Sequence, residues 1–369
     1  MNQKNLAPHA VPNEFMTLHE LVKKARQKLN HDNWDYIVGA TETETTLKRN
    51  RQALDAWAFR PRVLQDVSHC DPGTLFLNRK IKLPLLLAPV GSLELFVADG
   101  AVASVKSANE YGIAQMLSSV CQPGMEVVAQ AAPDALRIFQ LYVHGDSAWI
   151  DEMIDRAIAC GNAAFCITVD SAVYSRRERD IAKRNLRRTV VPGREYQASF
   201  NWKDVERVRA KYKIPLILKG ICTAEDATLA VEHGIDMVYV SNHGGRQLDH
   251  GLGTADILPE VVKAVQGRAK IIVDGGFNRG SDIVKAIALG ADMVGIGRMQ
   301  CLGLAASGQA GLVRMLELLE HEVRICLSLL GVNTLDQLNS SHLQAAPIVT
   351  PASALSAFPL LSLEDESFY

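Results

Sequence analysis

From about residue 81 onward the chain alternates between short apolar runs and amphipathic stretches, and this rhythm limits the fold more than any other feature. The apolar runs are 83–88, 113–117, 136–141, 164–169, 214–218, 235–240, 270–273 and 293–296. Between them lie stretches of helical pattern at 101–110, 124–131, 147–160, 202–212, 223–233, 255–266 and 279–289, with a further one at 310–330. Largely apolar strands read as buried on both faces, as in parallel sheets. Eight such units, with no Gly-x-Gly-x-x-Gly opening, favour a closed (β/α)8 TIM barrel over a doubly wound open sheet.

The remaining segments are read around that barrel. Residues 1–15 are expected to be a flexible N-terminus and 16–75 a helical segment. Thr17 or His19 opens its first helix, Asn33–Ile37 begins another, and Arg60-Pro61-Arg62 ends the pattern. The barrel domain is expected over 76–345, and 346–369 reads as a C-terminal tail. After the fourth strand, residues 171–201 lack a core pattern and are basic, with Arg176, Arg177, Arg179, Lys183, Arg184, Arg187, Arg188 and Arg194 against Glu178, Asp180 and Glu195. A long loop at this place is either a lid over a site or a solvated connection.

A net charge of -2 gives no reason to expect nucleic-acid binding. No apolar stretch is long enough to span a bilayer, and the N-terminus lacks a secretory apolar core. Seven dispersed cysteines without a Cys-x-x-Cys point to reduced thiols rather than disulfides or zinc. The expectation is a soluble cytoplasmic protein with no metal.

Chemistry in such a barrel sits at the carboxyl tips of the strands. Polar residues collect there: Gln140 and Tyr142 after strand 3, Thr168 and Asp170 after strand 4, Lys219 after strand 5. Strand 6 ends in Ser241-Asn242-His243-Gly244-Gly245-Arg246-Gln247-Leu248-Asp249. Taken singly, each has an ordinary reading as a hydrogen-bond partner, a helix cap or a solvated cation. Together they place a titratable base beside a fixed cation that grips carboxylates. Asp274-Gly275-Gly276 and Gly295-Ile296-Gly297-Arg298 end strands 7 and 8, the usual phosphate position of this architecture.

With these motifs in place, the stretch from Leu18 to Leu343 resembles the FMN-dependent 2-hydroxy-acid oxidases and dehydrogenases, a family that includes glycolate oxidase, lactate oxidase and mandelate dehydrogenase. The resemblance implies FMN as cofactor, with His243 as catalytic base and Asp170 as its orienting carboxylate. It further implies Arg246, Arg177 and Tyr36 around the substrate carboxylate, Tyr142 beside the substrate hydroxyl, and Lys219 near the flavin. Pro89, Val90, Gly91, Ser118, Gln140, Thr168, Ser241, Asp274, Gly275, Gly276, Asn278, Arg279, Gly297 and Arg298 match flavin-binding positions. The chain departs from the family where Arg-Arg usually follows Asp-Gly-Gly-x: here the pair is Asn278-Arg279, so a cation that meets the phosphate is replaced by an amide.

The implied reaction is oxidation of an L-2-hydroxy acid to the 2-keto acid, by carbanion or hydride transfer, with electrons passed to oxygen, a quinone or a carrier protein. The family also implies a homotetramer. Two other readings are another FMN or phosphate-binding barrel, such as type 2 isopentenyl-diphosphate isomerase, and a non-catalytic flavin-binding protein. Gly91 and Val120 are small where some relatives carry larger side chains, which favours a substrate larger than glycolate.

Overall fold

The computed structural model describes residues 15–184 and 193–362. Eight strands close into a parallel barrel: β1 Leu85–Leu87, β2 Ala114–Ser118, β3 Leu136–Leu141, β4 Ala164–Thr168, β5 Leu216–Ile221, β6 Met237–Val240, β7 Lys270–Val273 and β8 Met293–Ile296. Neighbours in sequence are neighbours in the sheet, and β8 closes on β1 through Val294 opposite Leu85. Each apolar run read from the sequence overlaps one of these strands, with β2 and β5 running past their runs to Ser118 and Ile221.

Alternation along each strand divides the core in two. Leu86, Met116, Ile138, Cys166, Ile217 and Ile272 fill the barrel interior. Leu85, Leu117, Phe139, Phe165, Leu218 and Val238 face outward under the helices. A hairpin of Thr74–Phe76 and Arg79–Ile81 sends Phe76 and Ile81 into the interior cluster, which plugs the end away from the strand tips.

Three helices precede the barrel: α1 Leu18–Lys28, α2 His31–Val38 and α3 Thr45–Asp55. Thr17, not His19, opens α1, through a capping box with Glu20. Asn30 caps α2, which begins at His31, two residues before the start expected at Asn33. Asp249 accepts from the backbone N–H groups of Thr43 (3.0 Å) and Thr46 (2.8 Å), so the last residue of the strand-6 motif caps α3 and draws it across the strand tips.

Three expectations need correction. Phe15, placed in the flexible N-terminus, is 5% exposed and packed in the core; residues 1–14 lie outside the described residues. The helix expected at 310–330 starts at Arg298, with a break at Ser307 and Gly308. The segment read as a tail folds back over the barrel as far as it is described. Trp57–Phe59 pairs with Leu343–Ala345, and beyond it Phe358 is 1% exposed, edge-on to His19 at 5.6 Å. Irregular chain carries no periodicity, so its burial is invisible to pattern reading.

The described parts of the 171–201 loop are tied down. Helix Glu178–Ala182 is held against α2 and α3 by Arg179 with Asp35 (3.0 Å) and Glu44 (2.6 Å), and by Lys183 with Asp35. Residues 185–192, which carry Arg187 and Arg188 of the expected lid, lie outside the described residues.

Candidate active site

The turn after β6 builds the centre of the site. His243, Gly244 and Gly245 all have positive φ (59°, 64° and 77°), so the chain reverses tightly at the strand tip. Glycine is required at 245 because a β-carbon there would lie 2.5 Å from the backbone nitrogen of Leu47 in α3. His243 takes this conformation without that freedom, the kind of local strain that gathers at functional sites.

The imidazole is fixed on both sides. Its Nδ1 lies 3.0 and 3.3 Å from the Asp170 carboxylate oxygens, and its Nε2 lies 3.1 Å from the Tyr142 hydroxyl. A carboxylate only accepts, so Nδ1 carries the hydrogen and the neutral ring presents Nε2 as acceptor. Burial holds the His243 pKa below its ordinary value, with Lys219 and Arg177 acting the same way against Asp170. Burial pulls the Asp170 carboxyl upward, but His243 and Lys219 outweigh it and the pKa falls. Burial raises the Tyr142 phenol, which keeps its proton at neutral pH and donates it to Nε2.

Beside this chain is a buried cation. Lys219, 4% exposed, donates to Ser241 Oγ (2.8 Å) and lies 3.5 Å from Asp274. Ser241 in turn donates to Asp274 at 2.6 Å. Burial opposes the charge on Lys219, but Asp274 and Asp170 more than offset it, so its pKa is raised. Gln140 donates to Thr168 Oγ1 at 2.8 Å, while its buried Oε1 has no partner among the described residues. Ser118, Gln140, Thr168 and Ser241 are buried at the tips without lining the cavity.

Three guanidinium groups face the same space. Arg246 donates from Nη1 to the carbonyls of Tyr36 (2.6 Å) and Gly39 (3.0 Å) and lies over the Tyr36 ring at 4.6 Å. Arg298 donates to Ile37 (2.7 Å), Gly39 (3.0 Å) and Gly244 (3.0 Å). Both arginines therefore cap the carboxyl end of α2, where cations complement the helix dipole. Capping leaves Arg246 Nη2 buried with no partner among the described residues. Arg177 lies over the Tyr174 ring at 4.7 Å. None of the three has a carboxylate partner among the described residues. Burial, then Arg177, brings the Arg246 pKa down to about 9, and burial brings Arg298 to about 10. Cations held together without a counter-charge fit an anionic ligand.

The glycine-rich end lies under α3. Gly275 and Gly276 have φ of 111° and 84°, and a β-carbon on Gly275 would lie 2.6 Å from Thr254 Oγ1 and 2.9 Å from Asn50 Oδ1. Asn278 lines the cavity; its backbone N–H donates to Asp282 at 3.0 Å. Arg279, expected at the cofactor, does not line the cavity. Its guanidinium pairs with Glu322 (2.5 and 3.1 Å) and with the Ala357 carbonyl (3.1 Å), because helix Gly280–Ala288 begins beside it and turns it outward. The cation at this end is instead Arg51 of α3, bidentate to Asp282 at 2.7 Å and bonded to the Gly276 carbonyl at 3.1 Å.

Together these groups line one cavity of about 320 Å³, within the usual range for small-molecule sites. Of the residues expected at the site, Tyr36, Pro89, Val90, Gly91, Tyr142, Arg177, Lys219, His243, Arg246, Asp274, Gly275, Gly276, Asn278, Gly297 and Arg298 line it. Sequence reasoning missed Asn50 and Arg51 from α3, His144, Arg194, and Ser353 with Ala354 from the C-terminal segment. Only the charge of Arg194 within the basic loop was a signal; the others come from elements outside the barrel rhythm.

Comparison with known proteins agrees with this geometry. The model of a family described as FMN-dependent dehydrogenase matches residues 25–345. The chain is 36% identical to an L-lactate oxidase of Nostoc sp., over 89% of this chain and 98% of that protein. It is also 36% identical to a glycolate oxidase of Spinacia oleracea, over 90% and 96% respectively. Among solved structures, a mandelate oxidase with (S)-2-phenylpropionate superposes with a TM-score of 0.83 at 34% identity, covering 91% of this chain and 99% of that one.

Proposed function

Since the chain belongs to the FMN-dependent dehydrogenase family, with FMN as its cofactor, we propose that it oxidises an L-2-hydroxy acid to the 2-keto acid at the carboxyl face of its barrel. The observation that carries this reading is the Asp170–His243–Tyr142 chain beside Arg246, a buried guanidinium with one nitrogen unpaired among the described residues.

The residues fit FMN. Gln140 Oε1 is a buried acceptor in want of an N–H donor, and the side-chain-free Gly275-Gly276 turn leaves backbone close to the cavity. Lys219 would hold the ring system, backed by the buried Gln140, Thr168 and Ser241 at the strand tips, with Gly276, Asn278, Gly297 and Arg298 toward the phosphate. When bound, FMN supplies the two-electron acceptor, which no side chain provides.

The protein's own groups supply binding and proton handling. Arg246, joined by Arg177 and Tyr36, holds the substrate carboxylate; a planar fork suits that task better than an ammonium. His243, neutral because it is buried, takes a proton on Nε2 as the substrate is oxidised. Asp170 stabilises the imidazolium formed and keeps the ring oriented. Tyr142 donates to Nε2 and turns to the substrate hydroxyl when the ring is protonated. Lys219, held charged by Asp274, gives a fixed positive field where negative charge develops.

The final electron acceptor is oxygen, a quinone or a carrier protein. A cytoplasmic homotetramer is part of the same proposal. The free state of all seven cysteines supports a reducing compartment, and the family resemblance supports the assembly. Denaturation should release FMN, and an anaerobic panel of 2-hydroxy acids should bleach the bound flavin. A panel in which no 2-hydroxy acid does so refutes the reaction.

A further inference from the structure

Arg194 is a cation of the cavity wall that the reaction above does not use. It opens the short helix Arg194–Ser199, at the end of the long loop after β4. That helix is fastened to the barrel. Gly193, with φ of 81°, packs so tightly on the His144 carbonyl that a β-carbon would overlap it. Gln197, 5% exposed, accepts from the Val143 N–H at 2.6 Å and donates to the Thr168 carbonyl at 3.0 Å. These bonds reach the tips of β3 and β4, the same tips that carry Tyr142 and Asp170. The position of Arg194 is thus set by the scaffold that sets the catalytic groups.

The Arg194 guanidinium lies over the Tyr174 ring at 4.5 Å, and Arg177 leans on the same ring at 4.7 Å. One aromatic side chain therefore seats two cations: Arg177, whose charge acts on both Arg246 and Arg194, and Arg194, whose charge acts on His144. Burial and then Arg194 hold the His144 pKa below its ordinary value, so that ring adds hydrogen-bonding capacity without charge. Val120 and Val173 add small apolar surface to the cavity wall. The cavity wall accordingly carries, in addition to Arg246, two cations seated on the Tyr174 ring, Arg177 and Arg194.

We infer that the preferred substrate is a 2-hydroxy acid with a second, distal carboxylate, and that Arg194 is the residue selecting for it. The inference rests on the reading of the cavity as a 2-hydroxy-acid site.

The test uses FMN-loaded enzyme and three substrates of increasing length, 2-hydroxysuccinate, 2-hydroxyglutarate and 2-hydroxyadipate, each paired with its ω-carboxamide. Apparent affinity is read from anaerobic flavin reduction. For at least one length the acid should bind roughly 10- to 100-fold tighter than its amide, the scale of a charge-assisted hydrogen bond. Arg194→Gln should bring that ratio close to one and Arg194→Lys should restore part of it; because each ratio is internal to one variant, general losses cancel. Ratios near one at every length in the wild type, or a ratio that survives Arg194→Gln, overturn the inference. A second arm needs no turnover: the matching 2-keto dicarboxylates should perturb the flavin absorbance, with weaker binding in Arg194→Gln. If no 2-hydroxy acid reduces the flavin, the reaction fails and this binding arm alone decides on the distal anion site.

Discussion

Replacing Asp170 with Asn tests the proton-handling chain most directly. The change keeps the shape of a side chain whose carboxylate lies 3.0 Å from His243 Nδ1 and removes its charge. Two unit charges about 4 Å apart in a partly screened protein site attract by about 4 kcal/mol. That is the stabilisation an imidazolium at 243 loses, and since about 1.4 kcal/mol is a factor of ten, the ceiling is near 10³-fold. With part of it recovered by relaxation, flavin reduction should slow by about 10²–10³-fold while FMN content stays unchanged. The pH profile gives a second readout. His243 must be neutral to accept a proton, so kcat/KM rises with pH through its pKa. Burial holds that pKa below the ordinary value of 6.5, which places the limb below pH 6.5 in the wild type. Asp170 raises the His243 pKa, so its removal should move the limb to still lower pH as the plateau falls. Stopped-flow reduction across pH would show both effects. A plateau within about 3-fold of wild type, or a limb moving upward, refutes the assignment.

Three other outcomes are expected. Arg246→Met should weaken 2-hydroxy-acid binding by roughly 1.5–3 kcal/mol with the oxidised flavin spectrum unchanged; equal affinity in titrations of the two proteins would contradict a carboxylate clamp. Asn278→Arg adds a cation to the cavity wall and should slow FMN release by about tenfold or more, followed by flavin fluorescence on dilution. Unaltered release would show that Arg298, Arg51 and backbone donors already suffice. Asp282→Asn leaves Arg51 buried at 5% exposure with a weakened partner, and should destabilise the protein by about 3–5 kcal/mol in chemical denaturation; a change under about 1 kcal/mol would argue that Asp55 alone holds Arg51.

The barrel was legible because its strands are buried on both faces, so runs such as 237–240 are apolar throughout and mark a strand without help from tertiary context. The turn at Ser241–Gly245 was legible because its chemistry is contiguous in sequence. What failed did so where position depends on distant contacts. Arg279 sits beside a phosphate-type loop in sequence, yet Glu322, on the long helix after β8, takes its guanidinium away. Arg51 looked like an ordinary helix residue; its place at the cavity follows from Asp249, two hundred residues on, capping α3. Gln197 shows no periodic signal at all, because its burial comes from two backbone partners on separate strand tips.

The C-terminal segment has a consequence for biosynthesis. Ser353 and Ala354 line the cavity, and Phe358 locks that segment against His19 near the opposite end of the chain. A nascent chain that has displayed every barrel strand still lacks part of the cavity wall until Ser353 and Ala354 leave the ribosome. A chain cut just before Ser353 would therefore keep every barrel strand yet leave the cavity wall incomplete.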